Sequence, residues 1–256
     1  MKAILEFTGV SLNYHTKFEE TKAVKNVSFK IYDGEFVSFV GPSGCGKTTI
    51  LSLISGLIKP TFGKILIDET EVLKPSSDIS YMLQKDHLFE WRTVYKNVIL
   101  GLEIKKNKSE AILEYANSLL KKYGLEDFKN YYPSQLSGGM RQRAALIRTL
   151  VLQPKILLLD EPFASLDYQT RLKACDDVRK IIKSEKKTAV FVTHDISEAI
   201  SLSDRIIVLT CRPCEIKNVH KINMPDCLSP LQRREHKDFS AIFEKIWSEL
   251  TNEKQE

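Results

Sequence analysis

The sequence predicts an α/β fold around a mostly parallel sheet, interrupted by an inserted helical segment. Three observations predict it: short apolar runs bounded by polar turns, apolar residues at helical spacing between those runs, and a stretch over about 87–153 that is helical in pattern throughout. The runs are Phe36-Val37-Ser38-Phe39-Val40, Ile156-Leu157-Leu158-Leu159, Ala189-Val190-Phe191-Val192 and Ile206-Ile207-Val208-Leu209. A strand with one wet face would alternate, so continuous runs read as strands buried on both faces.

In chain order, the run at 36–40 leads into a glycine-rich loop. Behind it lies a helix whose apolar face is Ile50, Leu53 or Ile54, and Leu57. The helical segment contains Ile112, Ala116, Leu119 and Tyr123 on one face and stops at Gly124, a C-terminal glycine signal. Its run Lys105-Lys106-Asn107-Lys108 reads as a solvated loop before a helix starting near Ser109. At the end, Phe239, Ile242, Phe243, Ile246 and Leu250 make one amphipathic helix. The chain, 1–256, is expected to be a single domain with an α/β core over about 1–86 and 154–256 and a helical subdomain over 87–153.

At 256 residues and 43% apolar content, the chain can bury its own core, which excludes a disordered or peptide-like class. Its net charge of +5 suits phosphate ligands without demanding nucleic acid. Residues 211–256 carry eight basic and eight acidic side chains, which argues against a nucleic-acid arm. Glu6 interrupts the opening segment Met1 to Glu6 where an export signal needs apolar residues, and no run reaches the roughly 20 apolar residues of a membrane span. A soluble chain is expected. Five cysteines, at 45, 175, 211, 214 and 227, suit reduced thiols. Cys211-x-x-Cys214 surrounds Arg212-Pro213 and reads as a turn after a strand, with metal or redox chemistry as the alternative; no second close Cys/His pair completes a zinc site.

Gly41-Pro42-Ser43-Gly44-Cys45-Gly46-Lys47-Thr48 matches the phosphate-binding pattern G-x-x-x-x-G-K-[ST], between a strand and a helix as its mechanism requires. The glycines let backbone N–H groups turn onto phosphates, the helix start adds positive potential, Lys47 reaches the β and γ phosphates, and Thr48 can bind Mg²⁺. Asp160 and Glu161 close a buried strand at the end where open α/β sheets bind ligands. Asp160 is expected to hold Mg²⁺ through its water shell, and Glu161 to polarise an attacking water. Leu136-Ser137-Gly138-Gly139-Met140-Arg141-Gln142-Arg143 begins a helix, and Ser137, Gly138 and Gly139 there make a second anion-binding start; a helix cap by Ser137 alone is the other reading.

With that third segment the chain resembles the ABC transporter ATPases over nearly its whole length. The resemblance implies a P-loop NTPase core with an N-terminal antiparallel β part, ATP and Mg²⁺ as ligands, and ATP hydrolysis. It implies that Tyr14 stacks on adenine, though an ordinary strand-end tyrosine fits too. Gln84 would touch Mg²⁺ and the attacking water, or else face solvent. The loop residues Gly41 to Thr49 would hold nucleotide, Thr49 included. Ser165-Leu166-Asp167 resembles the segment that crosses the dimer interface, with Ser165 where alanine is commoner. His194, after the strand ending at Thr193, resembles the histidine that contacts the γ phosphate.

The resemblance further implies two copies closing head-to-tail around two ATP molecules. Membrane permease subunits would be the partners, with a solute-binding protein behind them, placing the chain at the cytoplasmic face of the membrane. Phe89, Trp91 and their neighbours either pack the helical subdomain onto the core or form a groove for a permease helix. Phe89 to Val94, Tyr132 to Leu136 and Asp160 to Asp167 resemble the nitrate, sulfonate and taurine importer group. A soluble ABC ATPase acting in cofactor assembly is the alternative.

Overall fold

A computed structural model of the chain describes residues 2–15 and 20–251. Met1 of the segment read for an export signal, and residues 252–256 of the charge-balanced C-terminal stretch, lie outside the described residues.

In chain order the elements are β1 (Ala3–His15), β2 (Glu20–Tyr32), β3 (Phe36–Val40), α1 (Lys47–Ile54), β4 (Phe62–Ile67), β5 (Thr70–Glu71) and β6 (Ile79–Met82). Four helices follow without an intervening strand: α2 (Val94–Val98), α3 (Leu100–Ile104), α4 (Glu110–Lys122) and α5 (Gly138–Leu150). The chain then returns through β7 (Ile156–Asp160), α6 (Tyr168–Ser184), β8 (Thr188–Thr193), α7 (Ile196–Leu202), β9 (Arg205–Leu209) and β10 (Ile216–Lys221). It ends in α8 (Pro230–Arg234) and α9 (Phe239–Thr251).

Two sheets form. β2-β1-β4-β5 is antiparallel, and β10-β9-β3-β8-β7-β6 is parallel except for β10, which runs antiparallel to β9. The continuous apolar runs are explained by what covers each face. Phe36, Leu157, Leu159, Ala189 and Phe191 pack with α4, α5 and α6, whereas Val37, Phe39, Ile156, Leu158, Val190 and Val192 pack with α1 and the antiparallel sheet. A third cluster joins Val40, Ile206 and Val208 to α7 and to Ile246 of α9, so the C-terminal helix docks through the apolar face its spacing predicts.

The helix behind the loop is shorter than its spacing suggests. α1 ends at Ile54, and Leu57 lies outside it, 62% exposed. The reason is Gly56: its φ of +72° leaves the helical region, and a Cβ there would sit 2.6 Å from the Lys74 carbonyl. Elsewhere side chains cap helix starts. Thr93, Ser137, Asp167, Asp195 and Ser229 accept from backbone N–H groups of α2, α5, α6, α7 and α8.

Candidate active site

The site grows from the C-terminal ends of four parallel strands. β3 leads into the loop 41–46, β6 into Gln84, β7 into Asp160 and Glu161, and β8 into His194. α1 opens at Gly46 with no side-chain cap and no acidic residue in its first turn, leaving its N–H groups to a ligand. Lys47, 6% exposed, folds back so that Nζ donates to the carbonyls of Gly41 (2.8 Å) and Pro42 (2.9 Å).

Asp160 is held from two sides. Thr48 Oγ1 donates to one carboxylate oxygen (3.3 Å) and the Tyr81 hydroxyl to the other (3.0 Å). Burial pushes the Asp160 carboxyl up, while these two donors pull it back. Burial, then the Asp160 charge, raises the Tyr81 phenol well above its ordinary value, so it stays a donor.

Glu161 occupies the left-handed region at φ 44°, a conformation costly for a residue with a Cβ. Its N–H donates to the Val192 carbonyl of β8 (2.9 Å), and its Oε2 meets His194 Nδ1 at 3.1 Å. Beneath His194, Glu198 is 3% exposed and accepts from Thr193 Oγ1 at 2.7 Å. Burial raises its carboxyl to about 7; Asp195 adds to this, while the Thr193 bond and Arg171 oppose it.

A cavity of about 350 Å³ lies over Asp160 and Glu161, while His194 stays outside its lining and reaches it through its bond to Glu161. Ser43, Gly44, Gly46, Lys47, Thr48 and Thr49 line it together with Gln84, Asp160, Glu161 and Arg212. Thr48, Gln84 and Asp160 offer only oxygen donors, which fits a hard cation such as Mg²⁺ that keeps water and phosphate oxygens in its shell. Among the described residues no three of His, Cys, Asp or Glu gather to cage a metal, so such a cation would rely on ligand oxygens.

Other expected site residues stand apart from the lining. Gly41 and Pro42 contribute carbonyls to Lys47, and Cys45 points away, buried. Tyr14 lies on β1, 41% exposed. Ser137 caps α5 by accepting from Met140 N–H, and a Cβ on Gly138 would sit 2.8 Å from a Leu166 methyl, so the two segments 136–143 and 165–167 pack together. Asp167 caps α6; the Thr170 donors hold its carboxyl below the usual range. Ser137, Gly138, Gly139 and Asp167 thus belong to two segments that pack on each other and lie outside the cavity lining.

Two neighbours of the site carry no sequence signal. Tyr81 reaches Asp160 because β6 pairs with β7 in the register Tyr81 to Leu158, and Arg212 reaches Gly44 O (3.3 Å) from the turn after β9. Both depend on tertiary placement.

Comparison with known proteins identifies the family. The family model described as ABC transporter matches residues 24–164. The chain is 45% identical to an uncharacterized ABC transporter ATP-binding protein, YtlC, of Bacillus subtilis, covering 98% of this chain and 99% of that one. It is 38% identical to the aliphatic sulfonates import ATP-binding protein SsuB of Bacillus cereus, over 85% of each. Among solved structures it is similar to the dimeric ATP-binding cassette MJ0796 in a post-hydrolysis state with ADP and Pi bound. That similarity has a TM-score of 0.71 and 35% identity, covering 86% of this chain and all of that one. With the α/β core, the phosphate loop and the strand-end carboxylates in one molecule, the chain belongs to the ABC transporter family as an ATP-hydrolysing subunit.

Proposed function

We propose that this subunit works as a pair, closing head-to-tail on ATP to drive a membrane permease that imports a small solute such as nitrate, a sulfonate or taurine. The observation that carries the reading is a divided site. Lys47, Thr48, Gln84, Asp160 and Glu161 converge on one cavity, while Ser137, Gly138, Gly139 and Asp167 lie outside its lining. A second copy would complete the cavity with that outlying segment.

In this reading the phosphates of ATP rest on the loop and the start of α1, and Lys47 exchanges two loop carbonyls for phosphate oxygens. Tyr14 stacks on adenine. Thr48, Asp160 and Gln84 would hold Mg²⁺, which would neutralise phosphate charge. Glu161 orients and polarises the water that attacks the γ phosphorus, and His194, bonded to Glu161, steadies that water and the γ phosphate. ADP leaves, and release of phosphate reopens the pair.

Coupling belongs to the helical segment. Phe89 and Trp91 touch with ring centroids 4.8 Å apart and planes tilted by 35°, 37% and 74% exposed, whereas neighbouring Leu88 is buried and packs the core. Such an exposed aromatic pair fits a short permease helix. No helix among the described residues is long and apolar enough to cross a membrane, which suits a peripheral subunit at the cytoplasmic face, with a solute-binding protein on the other side. The name of the sulfonate importer relative supports import.

The test is affinity capture of the tagged chain from detergent-solubilised membranes, beside its Phe89→Ala/Trp91→Ala variant. A multi-span permease captured by the wild type and lost by the variant is expected. Capture of cytosolic partners alone would favour an assembly ATPase and overturn the transport reading.

A further inference from the structure

His194 sits between two residues whose side chains are tied into a small polar frame. Thr193 Oγ1 donates to Glu198 Oε2 at 2.7 Å and accepts from Asp195 N–H at 3.0 Å. Asp195 Oδ1 in turn accepts from the Ser197 and Glu198 N–H groups, at 2.7 and 3.1 Å, and so starts α7. The backbone that brings His194 Nδ1 to Glu161 is therefore set by Thr193, Asp195 and Glu198.

Arg171, near the start of α6, faces this frame. Its Nη1 lies 3.8 Å from Asp195 Oδ2 and its Nε 3.8 Å from Glu198 Oε1. The remaining arm turns the other way, and Nη2 donates to the Leu166 carbonyl at 3.0 Å. Leu166 is the residue that leaves no room for a Cβ on Gly138, and it leads into Asp167. A single guanidinium thus touches both the segment 165–167 and the turn that carries His194. Its rigid fork can serve the two at once, which the point charge of an ammonium cannot. Neither Arg171 nor Glu198 lines the nucleotide cavity.

The two ends of the fork are unequally engaged. The bond to Leu166 has ordinary length, whereas both ion pairs stand beyond hydrogen-bond range, and Nε is buried without a hydrogen bond. Glu198 is itself 3% exposed, so an unmade donor lies beside a buried carboxylate. A shift of the guanidinium by about 1 Å toward α7 would turn both pairs into hydrogen bonds.

We propose that Arg171 is a positioning residue for hydrolysis. When a second copy closes on residues 165–167, the Leu166 carbonyl carries the guanidinium onto Glu198 and Asp195, and the tightened pairs fix His194 against Glu161. The proposal rests on the head-to-tail closure given under the proposed function. ATP binding to the loop does not involve Arg171, so its loss is felt in turnover and not in affinity.

The test measures steady-state ATP hydrolysis and ATP affinity of the whole chain as wild type, Arg171→Met, Arg171→Lys, Glu198→Gln and the double variant Arg171→Met/Glu198→Gln. Arg171→Met should lower kcat by roughly tenfold or more while KM and ATP affinity stay within about twofold of wild type. Glu198→Gln should lower kcat in the same way, and the double variant should lose no more than the worse single one, as expected of two groups acting through one contact. In light scattering, Glu161→Gln/Arg171→Met should still double its mass with ATP. The proposal is overturned by an unchanged kcat in Arg171→Met, by a matching loss of ATP affinity, or by losses that simply add. Should Arg171→Met bind no ATP, Arg171→Lys decides: a lower kcat at unchanged affinity supports the proposal, and a wild-type kcat overturns it. A Glu161→Gln chain that binds ATP and stays at the protomer mass overturns the closure reading itself, whatever Arg171→Met does to kcat.

Discussion

Asp160 receives a hydroxyl on each carboxylate oxygen, and the two donors come from elements far apart in the chain. Thr48 belongs to the helix behind the loop, and Tyr81 to the strand beside β7. A buried carboxylate with one oxygen stripped of its donor loses about 1–3 kcal/mol of satisfaction and is free to rotate. Tyr81→Phe should therefore raise the Mg²⁺ concentration needed for half-maximal enhancement of nucleotide binding, while binding in excess chelator stays unchanged. Unaltered Mg²⁺ dependence would show that Tyr81 does not position Asp160. At this scale the phosphate loop, Asp160, Glu161 and His194 were legible, because each sits at a strand end that a continuous apolar run announces. Tyr81 and Arg212 were not: one needs the β6–β7 register, the other the fold of a turn, and neither register nor turn path is written in local spacing. The left-handed backbone of Glu161 is likewise a tertiary fact, imposed where β7 meets β8.

Among elements, α7 carries the clearest pH dependence. Glu198 in its first turn is buried, with Thr193, Asp195, Arg171 and His194 as its polar neighbours, and its carboxyl is raised from an ordinary 4.5 to about 7. A raised acid binds its proton more tightly in the folded state. Its contribution to stability is therefore complete below about pH 4.5 and is lost as pH rises through about 7. Glu198→Gln, which can still accept from Thr193, should remove that loss. Denaturation at pH 5 and pH 8 should show the variant gaining on the wild type by on the order of 1–3 kcal/mol over that interval; a constant difference would contradict it. The parallel strands were readable because both faces are covered, whereas β1 and β2 show no clean alternation. Their pairing shifts register between Phe7 and Val10 and again between Val10 and Leu12, which breaks the period of two. The end of α1 was misjudged for a local reason, since Leu57 keeps helical spacing past a glycine that has left the helix.

For the whole molecule, the proposed function requires that one chain hold two incomplete halves of a nucleotide site. Asp160 and Glu161 line the cavity at the strand ends, while Ser137, Gly138 and Gly139 at the start of α5 lie outside that lining. Gly138 packs against Leu166, which fixes the start of α5 to the segment leading into Asp167 and presents both as one surface. That surface was legible only through family resemblance, because spacing along a chain does not say which face meets a second copy. The most direct test is light scattering coupled to size-exclusion chromatography of Glu161→Gln with saturating ATP and Mg²⁺, beside Lys47→Ala. Closure predicts twice the protomer mass for Glu161→Gln with ATP, the protomer mass without it, and the protomer mass for Lys47→Ala in both conditions. A Glu161→Gln protein that binds ATP and stays at the protomer mass would contradict the head-to-tail account.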